Sequence, residues 1–142
     1  MSSVVEGIDV NKRHSSVVCI FVCSACEGNS GTLDGGMSTG QRLVDMLTMR
    51  CAEIPEIKVI PVDCLAVCDR PVTIAFQAQG KWSYTIGDVD PELDLDDIVV
   101  AGKLIAISTS GLLKMAERPK FFRNGVVSRL PSLTSLRVSV GR

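Results

Sequence analysis

Apolar positions fall along this chain in short runs, separated by stretches rich in glycine, aspartate and proline. Residues 17–22 (VVCIFV) are six consecutive apolar positions of mostly β-branched type, which predicts a strand buried on both faces. Residues 27–40 hold five glycines together with Asn29, Ser30, Asp34 and Ser38, and predict a loop. Thr39 then caps a predicted helix over about 40–53, with Leu43, Val44, Leu47, Cys51 and Ile54 at helical spacing and Pro55 as its stop. A second apolar strand at 57–62, reached through that helix, predicts a right-handed parallel βαβ unit. The segment CLAVC follows it directly.

Two further strands, 72–77 and 81–86, are joined by a short turn at 78–80 and predict an antiparallel hairpin. Asp90, Pro91 and Glu92 open a second helix, with Asp90 as cap and Pro91 at its first position. Leu95, Ile98, Gly102 and Ile105 line its inner face, residues 108–111 break it, and a short helix runs to about Glu117 before Pro119. The order β-α-β-loop-β-β-α predicts an α/β fold, a four-stranded mixed sheet with helices packed on it. That is the element order of a thioredoxin-like domain.

Composition narrows this picture only a little. The 142 residues suit one domain with one core, and the net charge of -1 gives no reason to expect nucleic acid or a membrane as partner. No apolar run approaches the roughly 18–20 residues of a membrane span. Lys12 and Arg13 before VVCIFVCSAC imitate a secretory leader. The apolar part is short, however, and Glu6 and Asp9 precede it, so a cytoplasmic protein is expected. Six cysteines in such a chain argue for ligands or redox chemistry before a disulfide framework.

The cysteines divide by setting. Cys19, inside the first strand, and Cys51, on the apolar helix face, read as small core residues. Cys23 and Cys26 leave the C-terminal end of the first strand, and Cys64 and Cys68 leave that of the second. If the strands are parallel neighbours, both loops emerge at one sheet edge, where open α/β sheets bind ligands. CxxC and CxxxC, with 37 residues between them, make a four-thiol set for a soft metal, zinc or the iron of a cluster. A dithiol oxidoreductase acting through Cys23 and Cys26 is the rival, since CxxC beside a βαβ pattern is its signature. It needs a helix N-terminus next to the thiols, and here about a dozen glycine-rich residues intervene between Cys26 and the predicted helix. Glu27 also adds negative charge there. A zinc-binding structural or adaptor protein using the same four cysteines is a further alternative. A chain with a full core has less need of structural zinc, and a glycine-flanked cluster is the more economical reading.

CSAC with its glycine-rich loop, then VDCLAVCDRPVTIAF, GKWSYTIGDVDP and ERPKFFRNGVVSRLP, resembles a bacterial family of uncharacterised predicted metal-binding proteins related to thioredoxin-like [2Fe-2S] ferredoxins. The likeness runs from about residue 17 to 131, leaving 1–16 as a polar N-terminal arm and 132–142 as a C-terminal tail. It implies a thioredoxin-like fold and a [2Fe-2S] cluster held by Cys23, Cys26, Cys64 and Cys68. It also implies electron transfer or redox sensing with a redox partner protein, in cobalamin biosynthesis for some relatives, and a homodimer is compatible with it. The first pair departs from the ferredoxin pattern, with only Ser24 and Ala25 between its cysteines.

The remaining features add little chemistry. Six carboxylates within residues 88–97 are what a helix N-terminus attracts, and they lack the spacing of a calcium loop. Residues 111–142 carry seven Lys/Arg against Glu117 alone, which reads as a solvated basic tail before a docking surface for an acidic partner. Trp82 and Tyr84 alternate on one strand face, expected to pack under the last helix or at an interface. His14 is a lone histidine, and Pro71 is placed where thioredoxin-like folds hold a cis-proline. No Ser/His/Asp set, Walker loop or dinucleotide fingerprint occurs, so no turnover by side chains, and hence no enzyme, is expected.

Overall fold

A computed structural model describes residues 16–26 and 37–133. The expected N-terminal arm, most of the glycine-rich loop, His14 and most of the C-terminal tail lie outside the described residues.

The described elements are β1 (Val18–Cys23), α1 (Thr39–Arg50), β2 (Ile57–Val62), β3 (Ile74–Ala78), β4 (Ser83–Ile86), α2 (Leu95–Ile107), a single 3-10 turn (Met115–Glu117), α3 (Lys120–Gly125) and β5 (Val126–Leu130). They form one sheet in the order β2-β1-β3-β4-β5. β1 pairs in parallel with β2 and antiparallel with β3, and β3, β4 and β5 continue antiparallel. The α/β expectation holds, with five strands where four were expected. The fifth comes from α3 and β5, in the stretch read as a basic tail. Phe121 and Phe122 are buried there, and Phe122 packs edge-on against Tyr84 with ring centroids 4.7 Å apart. Those aromatics anchor α3 to the sheet and deliver β5 beside β4.

Burial alternates along the central strands until β1 ends at the buried Cys23. Val18, Ile20 and Val22 of β1, Ile74 and Phe76 of β3, and Tyr84 and Ile86 of β4 are buried on the face that α1 and α2 cover. On the opposite face Cys19, Phe21, Ile60, Ala75 and Thr85 are only half-buried. The apolar run 17–22 therefore belongs to a strand buried on one face, not two. Its composition misled because Cys19 and Phe21 sit where no described helix covers the sheet. Cys19 is accordingly not a core residue: it lines an open groove of about 670 Å³ with Gln77, Ser83 and Leu130. Cys51 is buried as expected, and burial pushes its thiol pKa up.

Element boundaries shifted for local reasons. Ser38, not Thr39, caps α1: its Oγ accepts from the Gln41 N–H at 3.0 Å, and Cys51 closes the helix. Asp90 does cap, but it caps a turn ahead of α2, with its Oδ1 accepting from the N–H groups of Glu92 and Leu93. Asp94 stands at the helix start itself, and Leu95, Ile98, Gly102 and Ile105 are buried as the periodicity predicts. At the other end of α2, the buried Lys81 amine donates to the carbonyls of Ile105 and Ala106, both at 2.8 Å. Burial lowers the pKa of that amine. Tyr84 packs beneath α3 as the alternation suggested, and its hydroxyl accepts from the buried Leu113 N–H at 3.2 Å. Among the described residues no helix is long and apolar enough to cross a membrane.

Candidate metal centre

Strand order explains how four distant cysteines meet. β1 lies between β2, its parallel neighbour, and β3, its antiparallel neighbour. The chain leaving the C-terminal end of β2 at Val62 must therefore cross over the C-terminal end of β1 to enter β3 at Ile74. Register fixes the crossing: Cys23 stands beside Val62, and its N–H donates to the Thr73 carbonyl at 3.0 Å. Cys23 and Cys26 sit at the tip being crossed, and Cys64 and Cys68 ride on the segment that crosses it.

The four thiols form two contacting pairs. Cys23 and Cys26, both buried, are hydrogen-bonded to each other, and the Cys23 thiol also donates to the Asp63 carbonyl at 3.8 Å. Cys64 and Cys68, both exposed, influence each other as neighbouring thiols. Cys68 lies within electrostatic range of both Cys23 and Cys26, so the two pairs share one end of the sheet. Burial, then the Cys23 contact, pushes the Cys26 thiol up to about 11. The Cys68 thiol is also raised, first by its hydrogen bond to Cys64. Among the described residues no three or more His, Cys, Asp or Glu side chains close around a single point as a metal cage would.

The backbone holds both pairs in place. The Ala66 N–H donates to the Cys64 sulfur at 3.1 Å, from a residue at φ 65 in the left-handed region. Beyond Cys68 the crossing segment is tied down: Arg70 N–H donates to the Val67 carbonyl, and the Arg70 guanidinium pairs with Asp88 at 2.8 Å. Thr73, fully buried, donates its hydroxyl toward the Arg70 and Val67 carbonyls at 3.2 and 3.4 Å. Nothing in the sequence singled Thr73 out, because a threonine at the start of a strand is unremarkable by type. Pro71 does stand at this crossing, but the cis peptide bond follows it, between Pro71 and Val72, and does not precede it.

One expectation about the site is overturned. The glycine-rich stretch was expected to keep the first helix away from CSAC. Instead the start of α1 abuts that turn. The Gly40 N–H donates to the Cys26 carbonyl at 2.7 Å, and the Ser38 hydroxyl donates to the Ser24 carbonyl. Gly40 approaches so closely that a Cβ there would lie 2.0 Å from the Cys23 carbonyl oxygen. Separation along the chain was read as separation in space, and the loop brings the helix back. The helix N-terminus is satisfied by carbonyls, however, and the Cys26 thiol is raised rather than lowered. The site thus places a helix beside the first pair without making Cys26 an activated nucleophile.

Comparison with known proteins agrees with this architecture. Among solved structures the chain is similar to a thioredoxin-like [2Fe-2S] ferredoxin from Aquifex aeolicus, with TM-score 0.50 and 18% identity over 80% of this chain and 93% of that one. A second structure, of the wild-type thioredoxin-like [2Fe-2S] ferredoxin from Aquifex aeolicus, gives TM-score 0.49 and 16% identity over 80% and 98%. At such identity the first likeness establishes the thioredoxin-like fold and nothing finer. No curated protein matches the chain. The family model described as "Protein of unknown function (DUF1636)" matches residues 20–132, which span both cysteine pairs, and the chain belongs to that family.

Proposed function

We propose that the protein is a ferredoxin-type electron carrier or redox sensor holding a [2Fe-2S] cluster through Cys23, Cys26, Cys64 and Cys68. The observation that carries this reading is that strand order brings both cysteine pairs to the C-terminal end of β1. Such a cluster would be held by four protein thiolates, which this chain carries as two pairs, and it would supply one-electron chemistry there. The donor set fits a cluster in type as well, since all four groups are soft sulfur ligands. Likeness in fold to a thioredoxin-like [2Fe-2S] ferredoxin supports the same reading.

When bound, the cluster supplies one-electron reduction and reoxidation. The chain supplies the setting. Cys23 and Cys26 hold the site from the core side, fixed by β1 and by α1 against the CSAC carbonyls. Cys64 and Cys68 hold it from the solvent side, at the exposed edge through which a partner protein approaches. The proposed role is carriage of electrons, without turnover by protein side chains. A cytoplasmic setting and a redox partner belong to the same proposal, as does a place in cobalamin biosynthesis suggested by the resemblance.

Anaerobic purification tests it. The protein should be brown, bleach with dithionite, and carry iron and sulfide in a ratio of about one. A colourless protein with stoichiometric zinc overturns the cluster and favours the structural or adaptor reading. Dithiol chemistry through Cys23 and Cys26 would survive Cys64→Ala, whereas a four-cysteine site would not.

A further inference from the structure

The two thiol pairs are alike in contact and opposite in access. Cys23 is 3% exposed and Cys26 8%, while both Cys64 and Cys68 are exposed. The members of each pair are also neighbours in the chain: Cys23 and Cys26 share a turn in which the Cys26 N–H donates to the Cys23 carbonyl at 3.3 Å, and Cys64 and Cys68 share the short surface crossing that turns at Val67 and Arg70. What differs is whether an oxidant can reach them. A small disulfide must align with an attacking sulfur and the departing one, and this needs open space on the far side of the thiol. Cys64 and Cys68 have that space, and the buried pair does not.

From this we infer that Cys64 and Cys68 form a redox gate: in the metal-free chain, a low-molecular-weight disulfide such as oxidised glutathione closes a Cys64–Cys68 bridge first and leaves Cys23 and Cys26 reduced. One thiol of the outer pair, as thiolate, attacks a sulfur of oxidised glutathione, forming a mixed disulfide and releasing one glutathione thiolate. The neighbouring thiol, as thiolate, attacks the protein sulfur of that mixed disulfide, closing the bridge and releasing the second glutathione thiolate. Two protein thiols lose two electrons, one glutathione disulfide gains them, and the two thiol protons end on the two glutathione molecules.

The bridge would remove two of the four donors while leaving the other two in place. Its effect on metal loading rests on the four-thiol reading above, but the bridge itself does not depend on which metal the site takes. Oxidising conditions would then shut the site from its solvent side without disturbing the core, since the segment carrying Cys64 and Cys68 is a surface crossing.

Peptide mapping tests the inference independently of any cluster. The full chain, stripped of metal with a chelator and reduced, is exposed to oxidised glutathione and quenched with iodoacetamide under denaturing conditions at successive times. Tryptic cleavage after Lys58 and Lys81, the Arg70–Pro71 bond being resistant, isolates Cys64 and Cys68 together on residues 59–81, while Cys23 and Cys26 fall with Cys19 on residues 14–42. Peptide 59–81 should appear unalkylated and two hydrogens lighter, at least about tenfold sooner than any loss of alkylation at Cys23 or Cys26. In Cys64→Ser the closing thiol is gone, and Cys68 should hold a lasting glutathione adduct. A Cys23–Cys26 bridge forming first or equally fast overturns the inference, as does the absence of an adduct in Cys64→Ser. Failure of the reduced chain to take up iron and sulfide would count against the cluster and leave the gate standing.

Discussion

Replacing Gly40 by alanine tests how the helix meets the thiol turn. In an exposed helix Gly→Ala stabilises by about 1 kcal/mol, because alanine loses less backbone entropy on folding. Position 40 should show the opposite sign. The new Cβ would lie 2.0 Å from the Cys23 carbonyl oxygen, with the Cys23 and Ser24 carbonyl carbons at 3.1 Å. Carbon and oxygen approach no closer than roughly 3.3 Å even in favourable contacts, so helix and strand end must part by about 1 Å. The obstacle is backbone, which no rotamer change relieves. Moving it also lengthens the Gly40 N–H bond to the Cys26 carbonyl, now 2.7 Å. Overpacking of this kind puts the loss at about 3 kcal/mol. For a chain of this size that is a fall in Tm of about 6–12 °C. Thermal unfolding followed by circular dichroism measures it, with Met49→Ala, an 80% exposed position on the same helix, as control. A Gly40→Ala protein as stable as wild type, or more so, refutes the close approach of α1 to CSAC.

Other outcomes follow from the same contacts. Cys23→Ala and Cys64→Ala should each abolish stoichiometric iron and sulfide uptake, whereas Cys19→Ala, on the open sheet face, should leave it unchanged; metal and sulfide analysis of reconstituted protein decides. Tyr84→Phe leaves the buried Leu113 N–H without its acceptor and should cost about 1–2 kcal/mol in urea unfolding. Lys81→Met removes two donors from the end of α2, but Ile105 and Ala106 carbonyls keep the N–H groups of Ser108 and Ser16, so the loss should be about 1–2 kcal/mol at neutral pH. Because burial lowers the folded-state pKa of Lys81, the unfolded chain binds more protons once pH passes that value. The stability contributed by Lys81 should therefore rise with pH toward the ordinary lysine value. Urea midpoints of wild type minus variant should widen from neutral to alkaline pH, and a narrowing gap would contradict the burial.

The sequence made legible what depends on local pattern. Both cysteine pairs, the βαβ start, the hairpin and the inner face of α2 could all be read from spacing and periodicity. Legibility ended where tertiary contact decides. The stretch giving α3 and β5 looked like a basic tail because four of the five residues of β5 are exposed and its charges resemble those of a solvated segment. The signal that it folds back lies in the adjacent aromatics Phe121 and Phe122, of which Phe122 packs on Phe76 of β3 and Tyr84 of β4. Gly40 was visible as a glycine but not as a contact of Cys23, since a separation along the chain carries no distance. Cys19 was misplaced for a related reason. An apolar run fixes which residues alternate, and only the helices' positions fix which alternate set is covered.

That covered set bears on what the four thiols are for. A small domain that needs a metal to fold lacks a core without it, and there the metal's binding energy is folding energy. This chain buries Tyr84, Phe76, Phe122, Ile20 and Leu47 almost completely, in a cluster assembled from all layers of the fold. Its stability has a source apart from the cysteines. The buried pair is positioned by β1 and α1, which that core already fixes, so half of the donor set is organised before any metal arrives. The other half sits on a crossing segment anchored at Arg70 and Thr73 but open to solvent at the sulfurs. A centre built only to staple the chain would gain nothing from an exposed side. One that passes electrons to a partner, or whose occupancy answers to the redox state around it, requires exposure on one side and rigidity on the other. If the four cysteines hold the proposed cluster, the graded burial of the two pairs fits a centre that serves a partner better than one that staples the chain.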